Sequence, residues 1–224
     1  MIHYSTEIEV GNLVIRDPVT ALTNVGIFIT GLMCFLKLRR KLIDYPEKSW
    51  IYFFLMVGNA SLIGVIVHGL SYYTPADVHF KIWWAMGVVQ GAGISLAQFG
   101  WGAAVLKRFR VVVAVICVLQ FGLFAVFSYV NGTFTIAKIH VAVGLVPIML
   151  YYIYIALKGY KAEMLVATGI GVSSLTALVH ALKLSFSDWF NYNDIAHVLI
   201  IASLVVMYKG LRYGLGTPPA TSPA

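Results

Sequence analysis

The chain has 224 residues, 60% of them hydrophobic and only 11% charged, with a formal net charge of +7. Charged residues make up about a quarter of an ordinary soluble domain, so this composition excludes that class. The excess of basic residues does not signal nucleic acid, because it lies in short connectors between apolar runs instead of gathering on one basic face.

The opening segment "MIHYSTEIEVGNLVIRDP" has neither a basic n-region nor an apolar core after it, so no cleaved signal peptide is expected. Seven apolar runs follow, at about 18–38, 50–72, 82–106, 111–130, 139–157, 164–184 and 193–211. Each is close to the roughly 20 residues that a helix needs to cross a bilayer. The runs are continuously apolar rather than alternating, and in lipid each must satisfy its own backbone, which selects helices over strands. The expected fold is an all-α, polytopic seven-helix membrane bundle forming one domain over 1–213, in a membrane the sequence does not identify. The stretch 214–224, ending "GTPPATSPA", is expected to be disordered.

Charge sets the orientation. With the N-terminus outside, Lys37, Arg39, Arg40, Lys41, Lys48, Lys107, Arg108, Arg110, Lys158, Lys161, Lys209 and Arg212 fall inside. Only Arg16, Lys81, Lys138 and Lys183 fall outside. That asymmetry is the positive-inside pattern and requires an odd number of spans, with the C-terminus inside. It also suits contact with anionic membrane lipids. Trp50, Tyr52, Trp83, Trp84, Trp101, Trp189, Tyr192 and Tyr208 mostly fall near run boundaries and read as an interfacial belt. Cys34 and Cys117 lie within runs and read as small hydrophobes, not as a disulfide.

The third run, "GVVQGAGISLAQFGWGAA", carries Gly87, Gly91, Gly93, Gly100 and Gly102, which suit close helix packing and a homo-oligomer through this helix. Asn24, Asn59, Gln90, Gln98 and Gln120 read as amides bridging helices. Pro147 has no counterpart break elsewhere, which disfavours a transporter built on paired broken helices. Lys209 lies at the inner end of the last run, not at its middle, so a retinal Schiff base is excluded.

The histidines share one side. His3, His68, His79, His140, His180 and His197 all fall outside or in outer half-helices, with Glu7, Glu9, Asp17, Asp77, Asp188 and Asp194; only Asp44, Glu47 and Glu163 are inner. Ionisable residues at membrane depth mark function by default. In "YNDIAHVLII", Asp194 and His197 are i, i+3 and share a helix face with Asn193. In the second run, Ser61, Gly64, His68 and Ser71 form one small, polar stripe. Three protein ligands and an open water position make a catalytic zinc site, and His68 and His197 would be two of them. Pairs drawn from His68, His140, His180 and His197 equally describe bis-histidine haem ligation. A non-catalytic receptor or assembly protein is the third reading.

The entry to the first helix, "RDPVTALTNVGIFITGLMCFLKLRR", resembles that of alkaline-ceramidase-like proteins: Asp17, Pro18, Thr20, Leu22, Thr23 and Asn24 match an acid-Pro pair followed by an "NTLTN"-type run. That family sits in a superfamily of seven-helix membrane hydrolases with the progestin/adipoQ receptors and the Per1-like proteins. The resemblance implies a zinc-dependent hydrolase of lipid amides or esters, with substrate entering laterally from the bilayer. His68 matches the metal-binding histidine of helix 2, and His197 matches the second histidine of an HxxxH pair on helix 7. Asn193 stands where the first histidine of that pair is expected, and Gly64 stands where a serine is expected, with Ser61 a turn away. The aspartate beyond helix 2 would be Asp77, although His79 lies nearer the expected spacing. In this reading Asp194 is a third ligand or the base, and Asp77 or Ser61 is an acid or oxyanion helper.

Overall fold

The computed structural model describes residues 6–40, 45–159 and 161–214. Lys41, Asp44, His3 and the tail from 215 onward lie outside the described residues. Two short strands come first, β1 (Glu7–Val10) and β2 (Leu13–Arg16). Seven helices follow: α1 (Pro18–Leu38), α2 (Tyr45–Gly69), α3 (Ala76–Val105), α4 (Arg110–Asn131), α5 (Phe134–Leu157), α6 (Lys161–Leu182) and α7 (Tyr192–Gly214). Among the described residues, six of these helices are long and apolar enough to cross a membrane. The exception is α3, whose 30 residues give ample length but are diluted by Gly, Gln and an Asp-His-Lys first stretch.

The hairpin is absent from the sequence expectation. Its register pairs Val10 with Leu13, so the loop is Gly11–Asn12. Gly11 has φ +61°, a conformation that glycine takes without steric cost and that tight hairpin turns require. Helix bounds also shift. α3 begins at Ala76, six residues before the apolar run, so Asp77 and His79 sit in its first turn and not in a connector. α5 begins at Phe134, which puts His140 nearly two turns inside the helix. α2 stops at Gly69 and passes through a 3-10 turn at Ser71–Tyr73.

Six helices close a ring in the order α1, α2, α3, α5, α6, α7, with α7 returning to α1; α4 packs outside it against α3 and α5. The core reflects this arrangement. Ile27, Phe54, Ile94, Ile148, Ile170 and Leu204, one from each ring helix, are buried together. α4 instead turns Val111, Val115, Val118, Leu119 and Val130 outward, all more than half exposed. A continuous apolar surface of this kind has no favourable partner in water and matches hydrocarbon.

Glycine sets close helix contacts in the ring, and α6 meets α7 through two of them. A Cβ built at Gly210 would lie 2.8 Å from the backbone nitrogen of Val166 and 2.9 Å from the carbonyl oxygen of Ala162. Gly169 faces α7 in the same way, against Met207 and the Ser203 carbonyl. The third-run glycines are also spent within the chain: Gly91 on Phe124, Gly93 on Met56 and Phe53, and Gly102 on Val113. Gly87 has nothing within 4 Å of a built Cβ. Gly210→Val is therefore expected to push α6 from α7 and destabilise by about 2 kcal/mol. Gly87→Ala, which meets nothing, should not destabilise and gains up to about 1 kcal/mol from helix propensity, as read by thermal unfolding of both variants in detergent.

Candidate functional site

The site is assembled at the hairpin end of the bundle from α1, α2 and α7. α7 starts with a reciprocal cap. The Asn191 Oδ1 accepts from the backbone N–H of Asn193 at 2.8 Å, and Asp194 Oδ2 accepts from the backbone N–H of Asn191 at 2.7 Å. This is a capping box built from an Asn-x-x-Asp segment. The other oxygen of Asp194, Oδ1, accepts from the Thr20 hydroxyl of α1 at 2.7 Å. Asp194 is fully buried, and both of its oxygens are engaged.

One turn further, Thr23 Oγ1 meets His197 Nδ1 at 2.8 Å. The two helices are thus joined by two rungs, Thr20–Asp194 and Thr23–His197, because i, i+3 residues share a face on each. The Thr23 hydroxyl has one proton, and two acceptors compete for it, the Thr20 carbonyl at 3.0 Å and His197 Nδ1. When the proton goes to the Thr20 carbonyl, Thr23 accepts from His197, which then carries its own proton on Nδ1 and offers a lone pair at Nε2.

His68, in the last turn of α2, faces that imidazole edge-on, with 6.4 Å between ring centroids. Its Nδ1 lies 3.6 Å from Asp17 Oδ2. Asp17 is 4% exposed and holds a left-handed backbone, φ 41° and ψ 56°, at the junction between β2 and α1. Such a conformation is uncommon outside glycine, though Asp tolerates it, and the surroundings must hold it in place. The hairpin does so: the backbone N–H of Asp17 donates to the Thr6 carbonyl, and the hydroxyl of Tyr73, in the 3-10 turn after α2, accepts from the Val14 N–H and donates to the Asn12 carbonyl. Arg16 reaches both Glu7 and the face of Tyr72.

Asn24 completes the floor, donating to the Thr20 carbonyl at 3.0 Å. Its amide oxygen presses on Gly64, where a built Cβ would lie only 2.6 Å away. The small residue at 64 thus has a physical reason: the Asn24 side chain occupies the space a serine there would need.

The remaining sequence candidates divide. His180 stacks edge-on against Tyr192 at 5.3 Å, beside the start of α7 and within electrostatic reach of His197. His79, in the first turn of α3, lies within electrostatic reach of His68. The hydroxyl of Ser61 is turned back onto the Val57 carbonyl of its own helix. Asn193 contributes its backbone amide to the cap. Asp77 is 68% exposed and paired with Lys81, whose hydrogen bond holds its carboxyl below the usual range. His140 belongs to a separate buried cluster: it stacks on Phe124 at 4.3 Å, with the Gly91 carbonyl at 3.1 Å, Ser95 at 3.4 Å and Gln120 at 3.5 Å. Thr20 and Thr23 entered the sequence reading only through the resemblance, Asp17 also as an outer acid and Asn24 also as a bridging amide; their contacts give each a role.

A zinc ion does not fit this donor set as a three-ligand centre. Two imidazoles face each other, but both Asp194 oxygens are hydrogen-bonded and position 193 is an amide. Among the described residues, no group of three or more His, Cys, Asp or Glu could hold a metal ion.

The Asn24–Gly64 contact is testable. Gly64→Ser is expected to destabilise by about 2 kcal/mol, as overpacking of a close contact does. Asn24→Ala combined with Gly64→Ser should recover most of that loss, and a double-mutant cycle on thermal unfolding measures the coupling.

No curated protein and no solved structure matches the chain. A family of unknown function (DUF6962) matches residues 19–215, from the start of α1 to the end of α7. The chain belongs to that family.

Proposed function

We propose that this is an integral membrane protein of seven spans, N-terminus outside, whose paired histidines hydrolyse an ester or amide carbonyl of a lipid by acid–base chemistry. The observation that supports the reading is the pairing itself: two imidazoles face one another, His197 bonded at Nδ1 to Thr23, and His68 with its Nδ1 3.6 Å from the Asp17 carboxylate, in ion-pair range but short of a hydrogen bond. Catalytic bases are held in this way by a third group. The span count rests on the closed ring of helices and on the crowding of basic residues at the end opposite the hairpin. The lipid substrate class rests on the resemblance of the first-helix entry to alkaline-ceramidase-like proteins.

The roles follow from the surroundings. His197 offers its Nε2 lone pair and is the base: it takes a proton from water as the water oxygen bonds to the carbonyl carbon. His68 lies in the last turn of α2, 3.6 Å from the Asp17 carboxylate. It is the acid and gives its proton to the leaving alkoxide or amine as the C–O or C–N bond breaks. Asp194 positions α7 and does not touch the reacting atoms.

The test is hydrolysis of ceramide and diacyl-lipid probes by the purified chain in mixed micelles, with and without chelator. Turnover that survives chelation and falls at least about 100-fold in both His68→Gln and His197→Gln is the expected result. Loss of turnover on chelation, with one zinc per chain, would establish a metal enzyme instead. A Soret band lost in either variant would establish haem. No turnover on any probe would leave a receptor or assembly role.

A further inference from the structure

At the end of α1 and α7 opposite the histidines, a pocket of about 450 Å³ is lined by Leu36, Lys37, Arg40, Tyr208 and Arg212. It lies some 20 residues along α1 from Asp17, about 30 Å away, so it is separate from the site above. Among the described residues, its lining holds three cations and no carboxylate. The cations are partly organised by one aromatic ring: Arg212 Nη1 donates to the Tyr208 hydroxyl at 3.4 Å, and the Lys37 ammonium lies 6.0 Å from the ring centroid. Such a group of guanidinium and ammonium donors on two helices suits a phosphate, which Arg binds in a fork and Lys as a point charge.

The approach to the pocket is apolar. Ile29, Met33 and Leu36, at i, i+4 and i+7 on α1, are 50%, 48% and 38% exposed and form one outward stripe that ends at Lys37 and Arg40. Anionic headgroup below and hydrocarbon above is the shape of a membrane phospholipid.

We propose that this pocket binds the phosphate of an anionic phospholipid, with an acyl chain lying along the Ile29–Met33–Leu36 stripe. The stripe selects the lipid over free phosphate, because a soluble anion gains nothing from it. The inference rests on the membrane-spanning reading but not on hydrolysis, and its test has no enzymatic readout.

The experiment is native mass spectrometry of the full chain in detergent, titrated with phosphatidylglycerol and with phosphatidylcholine of matched acyl chains. Phosphatidylglycerol is expected to bind at least about tenfold more tightly, and added salt should weaken it. The combined Lys37→Gln, Arg40→Gln and Arg212→Gln variant should lose that preference. A control with Lys107→Gln, Arg108→Gln and Lys158→Gln, which removes the same charge from the same end, should keep it. All six side chains are at the surface, so folding is not at stake, and equal melting temperatures check this. Equal binding of the two lipids, or equal loss in both variants, would overturn the site and leave a diffuse basic surface. Displacement of the lipid by millimolar inorganic phosphate would reassign the pocket to a soluble anion.

Discussion

The pair of rungs between α1 and α7 is the constraint on which the rest depends. α7 is the last helix and α1 the first, so the ring closes only if two segments 174 residues apart in sequence meet in register. Apolar packing alone is poor at setting register in lipid, where the surroundings are as apolar as the helices themselves. Thr20–Asp194 and Thr23–His197 supply that register. A slip of one residue would take the Thr20 hydroxyl from Asp194 Oδ1 and leave that buried oxygen unpaired, which is costly in a low-dielectric interior. The same rungs set the rotation of α7, and so decide that His197 faces His68 and not the lipid.

This arrangement changes what Asp194 is for. The sequence reading makes it a metal ligand or a base because it shares a face with His197. In the folded chain its two oxygens serve the α7 cap and the tie to α1, and its full burial follows from both. Its chemistry is spent on position. The carboxylate that addresses a histidine is Asp17, which the hairpin holds against His68 in a strained backbone. The hairpin has a function of its own in this account: it clamps the mouth of the site to the end of α2 through Tyr73 and Arg16.

What was legible from sequence followed the physics that operates locally. Seven helices emerge directly from seven apolar runs, and the start of α1 at Pro18 coincides with its run. The early start of α3 was hidden because Asp77, His79 and Lys81 interrupt the hydropathy while leaving the helix intact. The Gly11–Asn12 turn between Ile8-Glu9-Val10 and Leu13-Val14-Ile15 is a recognisable hairpin signal, overlooked beside stronger apolar runs. That His68 and His197 come together was readable from their common depth. Their partners were not, because Asp17 meets His68, and Thr23 meets His197, only through tertiary closure. Depth also grouped His140 with the others, but its place on α5 puts it in a different polar cluster, against Phe124 and the Gly91 carbonyl.

On the proposed function, the Thr23 rung holds His197 with its proton on Nδ1 and its lone pair on Nε2. Solid-state 15N NMR of histidine-labelled protein in lipid reads this directly, with His197 assigned by the His197→Gln spectrum. The expected result is an Nδ1-protonated neutral ring at neutral pH that loses this preference in Thr23→Val. An Nε2-protonated His197, or a tautomer indifferent to Thr23, would contradict it.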